Sequence, residues 1–191
     1  RAVVGVLQTI KSRVLKRWKA VDNMITDAAN EAKDNVKYLH TLDKYIEPLY
    51  VGDPAAIMET LPGLLNNIRM MHTIARYYSS TPRMTNLFRK ITEQMIAACR
   101  KSVEADGNMW EQPSKQILAN LRACLQTNQQ YQASYALMRQ QLADNPKGKQ
   151  FDFNENIIFG KFDLFCRRVE KLVDMFSTVQ QFSALARHNL E

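Results

Sequence analysis

Apolar residues return every third or fourth position through five long stretches, the spacing that keeps one side of an α-helix out of water. The pattern is plainest over residues 151–182, FDFNENIIFGKFDLFCRRVEKLVDMFSTVQQF, where Ile158, Phe162, Phe165, Val169, Leu172, Phe176 and Val179 alternate steps of four and three. That alternation holds a stripe on one side for about six turns. Lys161, Arg167, Arg168, Glu170, Lys171 and Asp174 fall largely off it. A first stretch keeps the same steps through Leu7, Ile10, Val14, Trp18, Val21, Ile25, Ala28, Ala32, Val36, Leu39 and Leu42. It predicts one helix of about 65 Å, a length that belongs to a bundle or rod. Between these two lie Ile57, Leu61, Leu64, Ile68, Met71 and Ile74, then Met84, Leu87, Ile91, Met95 and Ala98. Ile117, Leu121, Cys124, Tyr131, Tyr135, Met138 and Leu142 follow.

Turn and cap signals separate the stretches. Pro48 ends the first, having no N–H to donate and disfavouring a helical residue before it. Asp53-Pro54 is a cap followed by proline at the first helical position, where its missing donor costs nothing. Pro62-Gly63 lies inside the second pattern and predicts a kink or restart. Ser79-Ser80-Thr81-Pro82 and Gln112-Pro113-Ser114 open two further helices, and Asp106-Gly107 and Asp144-Asn145-Pro146 close them. After a polar linker at 145–150, Asn154 or Asp152 is placed to cap the last helix, with Phe151 or Phe153 as its hydrophobic staple. The expected helices cover about 2–49, 54–79, 82–105, 113–143 and 154–187. Short connections between long helices make successive neighbours antiparallel. The expected fold is therefore all-α: an elongated bundle of about five long antiparallel helices, part of a helical-bundle rod. The chain opens at Arg1 in mid-pattern, so residues 1–191 are expected to form one helical segment of a longer chain.

Composition agrees. Hydrophobic residues at 46% and charged residues at 24% fit a folded chain, and six glycines and six prolines are too few for a turn-rich strand fold. The formal charge of +7 admits nucleic acid, an anionic membrane or an acidic protein surface as partner. The excess is concentrated at the start, where Arg1, Lys11, Arg13, Lys16, Arg17 and Lys19 all precede Asp22. On one continuous helix Arg13, Lys16 and Arg17 share a side, away from Leu7, Val14, Trp18 and Val21. Lys11, Arg13, Lys16 and Arg17 are thus a candidate docking face, to be weighed against an ordinary solvated one. No nucleic-acid recognition module or stacking platform accompanies the charge.

Candidate chemistry is sparse. His40, His72 and His188 stand far apart with no cysteine or carboxylate at ligand spacing, and nothing pairs a nucleophile with a histidine. Asn145-Pro146-Lys147-Gly148-Lys149 lacks the first glycine, the hydroxyl and the preceding strand of a phosphate loop. Cys99, Cys124 and Cys166, each beside apolar neighbours, read as reduced, mostly buried thiols of a cytosolic chain. The nine methionines are expected as core fillers. Tyr38, Tyr45, Tyr77, Tyr78, Tyr131 and Tyr135 suit bundle edges, where a ring packs and its hydroxyl stays wet. No catalytic, cofactor or metal site is expected.

Four stretches in order resemble the N-terminal tail, or stem, of an axonemal dynein heavy chain of the outer-arm type. They are 34–49 (DNVKYLHTLDKYIEPL), 53–78 (DPAAIMETLPGLLNNIRMMHTIARYY), 88–99, and 151–168 (FDFNENIIFGKFDLFCRR). Each alone is a helix signature; the ordered set is specific. The resemblance implies a non-enzymatic structural and assembly segment. The microtubule motor, with its ATP and magnesium, lies in parts of the parent that these residues do not include. It implies as partners other dynein heavy chains, WD-repeat intermediate chains, light chains and docking proteins on the microtubule doublet, with no nucleic acid and no membrane. Its place is the cytoplasm and cytoskeleton, in the axoneme of a cilium or flagellum. Phe151, Phe153, Phe159, Phe162 and Phe165 are then structural, fastening the last helix into the rod. The rival reading is a free-standing basic helical adaptor for nucleic acid or an acidic membrane surface. An enzyme whose site other chains complete ranks last.

Overall fold

The computed structural model describes residues 2–105, 107–144, 149 and 152–188. Among the described residues there are seven helices and no strand: α1 (Ala2–Thr9), α2 (Leu15–His40), α3 (Asp43–Val51), α4 (Pro54–Ile74), α5 (Thr81–Glu104), α6 (Ser114–Ala143) and α7 (Glu155–His188). The all-α expectation holds, and the last three helices fall close to their expected bounds.

The single helix expected over 2–49 is instead three. Residues 10–14 interrupt it, with Lys11 at φ 49, a left-handed conformation that costs a side chain about 1–2 kcal/mol. A second break at Thr41 and Leu42 tucks Leu42 fully into the core. Pro48 does not end anything: it lies within α3, which runs on to a left-handed Gly52 at φ 85. Pro62-Gly63 likewise leaves α4 unbroken to Ile74, five residues short of the expected end. Around the lost hydrogen bond, Leu61, Leu64 and Leu65 are all buried. At about 1.5–3 kcal/mol each, their burial offsets a proline cost of about 3 kcal/mol. Gly63 is where α3 and α4 touch, because a Cβ there would stand 2.4 Å from Cε1 of Tyr45.

The other caps behave as expected where their side chains can reach. Asp53 accepts a hydrogen bond from the Ala55 N–H at 3.1 Å, and Asn154 Oδ1 accepts one from the Ile157 N–H at 3.3 Å. Ser80, at the N-cap of α5, makes no side-chain cap bond, and the Ser79 hydroxyl donates to the Ala75 carbonyl at 2.7 Å.

Helices α4 to α7 form the body. The Thr127 hydroxyl donates to the Pro54 carbonyl and Arg69 donates to Gln141, so α4 and α6 run parallel. Cys99 meets Asn128 between α5 and α6, and Gln132 meets Asp163 between α6 and α7, both pairs antiparallel. An aromatic chain threads the four helices. His72 meets Phe153 edge-on at 5.5 Å, Phe153 meets Phe88 at 6.0 Å, and Phe88 meets Tyr135 at 5.2 Å. Tyr135 meets Phe159 at 4.8 Å, and Tyr131 contacts Phe159 and Phe162. Such pairs add about 0.5–1.5 kcal/mol each beyond their buried area. Tyr131 and Tyr135 are therefore core residues, while Tyr38, Tyr45, Tyr77 and Tyr78 sit half-buried as bundle edges should.

Candidate interaction surface

The expected stripe of the first stretch is real but, ahead of Leu42, uncovered. Neither α1 nor α2 buries a single residue, and residues 16–30 are exposed without exception. At 1.5 Å per residue those turns reach about 22 Å. Val14 (54% exposed), Trp18 (40%), Val21 (51%) and Ile25 (63%) lie at steps of four, three and four, the seam spacing of paired helices. The helix first grips the body at Glu31, whose carboxylate pairs with Arg83 near the start of α5, and at Asp34, which accepts from the Tyr77 N–H at 3.1 Å.

A second bare face lies on α7. Its stripe packs as expected from Ile158 to Phe176, with Phe165 and Leu172 half-buried, and then runs out of cover. Met175 is 39% exposed, Val179 47%, Phe182 66% and Leu185 57%. The last buried residue of the stripe is Phe176, stacked on Trp110 at 5.7 Å in the connection that follows α5, and Arg122 of α6 reaches the next residue, Ser177, at 3.3 Å. The two bare faces thus leave the body at opposite ends of α5.

These surfaces offer packing and little chemistry. Among the described residues no group of histidine, cysteine or carboxylate side chains is placed to hold a metal, and no helix is long and apolar enough to cross a membrane. The three cysteines, distant in sequence, converge. Cys99 Sγ lies 3.5 Å from Asn128 Oδ1, and Cys124 Sγ 3.7 Å from the Cys99 carbonyl. Cys166 lies within the field of the same cluster. A shared hydrogen bond with Cys124, and then burial, push the Cys99 thiol upward. Burial, followed by the Asp163 and Glu170 charges, pushes Cys166 up to about 11. All three are free and buried, and the same shared hydrogen bond with Cys99 shifts the Cys124 thiol downward, so Cys99 and Cys166 are the packing groups with little thiolate.

The whole of residues 1–191 matches the family described as dynein heavy chain, N-terminal region 1. The chain belongs to the dynein heavy chain family. It is 45% identical over 98% of its length to the dynein gamma chain of the flagellar outer arm of Chlamydomonas reinhardtii. It is 42% identical over its full length to dynein axonemal heavy chain 5 of Mus musculus, and 40% identical to dynein axonemal heavy chain 8 of Homo sapiens. It spans 4% of each of these relatives.

Within this dynein heavy chain segment the sequence-selected residues separate. Phe153 (6% exposed), Phe159 (8%) and Phe162 (0%) are core, and Phe165 is half-buried beneath the Arg100 guanidinium at 6.0 Å. Phe151 lies outside the described residues, as does most of the 145–149 stretch. Phe153 packs across the bundle on His72 and Phe88. Lys11 and Arg13 fall in the break between α1 and α2, so they do not share one helix face with Lys16 and Arg17; all four are exposed. Sequence reasoning placed the α2 stripe in the core because periodicity reports that a face is apolar, not what covers it.

Proposed function

We propose that residues 1–191 are a structural and assembly link in the tail of an axonemal dynein heavy chain, working in the axoneme of a cilium or flagellum. The observation that carries this reading is the pair of bare apolar faces, on α2 and on the end of α7, leaving the body at opposite ends of α5. A segment exposing such faces at both ends is suited to continue a rod through helices outside it. Its surroundings would be other dynein heavy chains, WD-repeat intermediate chains, light chains and docking proteins of the microtubule doublet. Force from the ATP- and magnesium-dependent motor, elsewhere in the parent chain, would pass along its packed helices. The segment itself takes no nucleotide and performs no reaction. The family match supports this reading and gives none to a free-standing nucleic-acid or membrane adaptor.

Cross-linking mass spectrometry on intact axonemal arms tests it. Lys16, Lys19 and Lys33 of α2 and Lys171 of α7 are expected to link reproducibly to peptides outside residues 1–191. Links confined to the segment would leave both faces without partners and contradict the proposal.

A further inference from the structure

Between α5, α6 and α7 lies a pocket of about 230 Å³, walled by Val103, Met109, Leu121, Phe165, Val169 and Leu172, with Cys99 and Cys124 behind them. A cavity of about 150 Å³ holds benzene, so this one has room for a large side chain. Its floor is firmly packed: Leu121 is 2% exposed, Val169 4% and Cys124 0%. It is a hollow with a packed floor, open to solvent on the side of Arg100, Glu104 and Arg168. Its mouth is charged. Arg100 and Arg168 line it on opposite helices, facing one carboxylate, Glu104. Among the described residues neither arginine has an ion-pair partner, Glu104 included. The pocket also adjoins the bare end of α7, since Met109 lines it and the neighbouring Trp110 stacks on Phe176.

We propose that this pocket is a socket for one large apolar side chain of a partner protein that carries a carboxylate on the adjoining helical turn. The apolar group fills the hollow, as anchor residues do at protein interfaces, and the carboxylate meets the Arg100 and Arg168 guanidiniums at the rim. A protein is favoured over a lipid carboxylate by continuity: the bare end of α7 begins at Met175, one turn beyond the lining residue Leu172. The inference rests on the assembly reading and adds to it the chemistry of a partner.

The test uses purified full-length heavy chain. Its probe is a synthetic helical peptide with one photoreactive leucine flanked, a turn to either side, by glutamates. Saturable labelling of peptides containing Met109, Cys124 or Leu172 is expected. It should fall about tenfold on Arg168→Glu, a change at an exposed position that leaves the fold intact, and about as far when lysines replace the glutamates of the probe. Val169→Trp, which fills the hollow, should abolish it. Labelling spread over the surface, or indifferent to Arg168→Glu, overturns the proposal. So does labelling displaced by palmitate and not by the unlabelled peptide, which would make this a lipid site. If the socket fails while α2 still cross-links outward in intact arms, the assembly reading survives without it.

Discussion

Phe162 and Val179 sit on one stripe of one helix, yet one is wholly buried and the other 47% exposed. Their substitutions should differ accordingly. In the 191-residue segment Phe162→Ala is expected to cost about 3–5 kcal/mol by chemical denaturation, and Val179→Ala within about 0.5 kcal/mol of nothing. Equal costs would mean the stripe is covered along its whole length. His72 sets a pH dependence. It is buried against Phe153, and desolvation, then the Lys149 charge, hold its pKa below 6.5. As pH falls through 6.5 the unfolded chain takes up a proton that the native chain refuses, so stability declines toward acid. His72→Phe, which keeps an edge-on ring, should flatten the denaturation midpoint between neutral and mildly acid pH. An unchanged slope would remove His72 as its source.

At the scale of elements, the sequence located α5, α6 and α7 well, read Pro54 and Pro82 correctly at helix starts, and misjudged the prolines inside helices. The buried stripe of α5, Met84 to Ala98, was legible because every position on it is covered by this same chain. Pro48 was misread as a helix end, and Pro62-Gly63, expected to kink or restart its helix, restarts nothing, because local propensity omits the burial on the faces around them. The convergence of Cys99, Cys124 and Cys166 on three helices leaves no spacing signature at all. Two helical glycines give a contrast that only the structure supplies. Gly160 faces open space, so Gly160→Ala should stabilise by about 0.5–1 kcal/mol. Gly63→Ala would press on the Tyr45 ring and is expected to destabilise by about 1–3 kcal/mol despite the better propensity. Thermal denaturation of the two variants would decide it, and stabilisation by both would mean α3 does not rest on Gly63.

For the molecule as a whole, the body encloses a core, to which Leu42 and Leu49 add from before α4, and its extensions do not. Helices α4 to α7 enclose an aromatic core, whereas α1, most of α2 and the end of α7 present apolar faces to water. A helix with a bare seam has little to hold it in isolation beyond intrinsic propensity, so these extensions should be the first to fray when the segment stands alone. The central claim is that partners cover them in the assembled arm. Hydroxyl-radical footprinting measures this directly, by comparing oxidation of Trp18, Met24 and Ile25 in the isolated segment and in intact axonemal arms. The account predicts strong modification of all three when isolated and at least several-fold protection in the arm, while buried Met95 stays protected in both. Equal modification of the α2 face in the two samples would show that nothing docks there and would contradict the account.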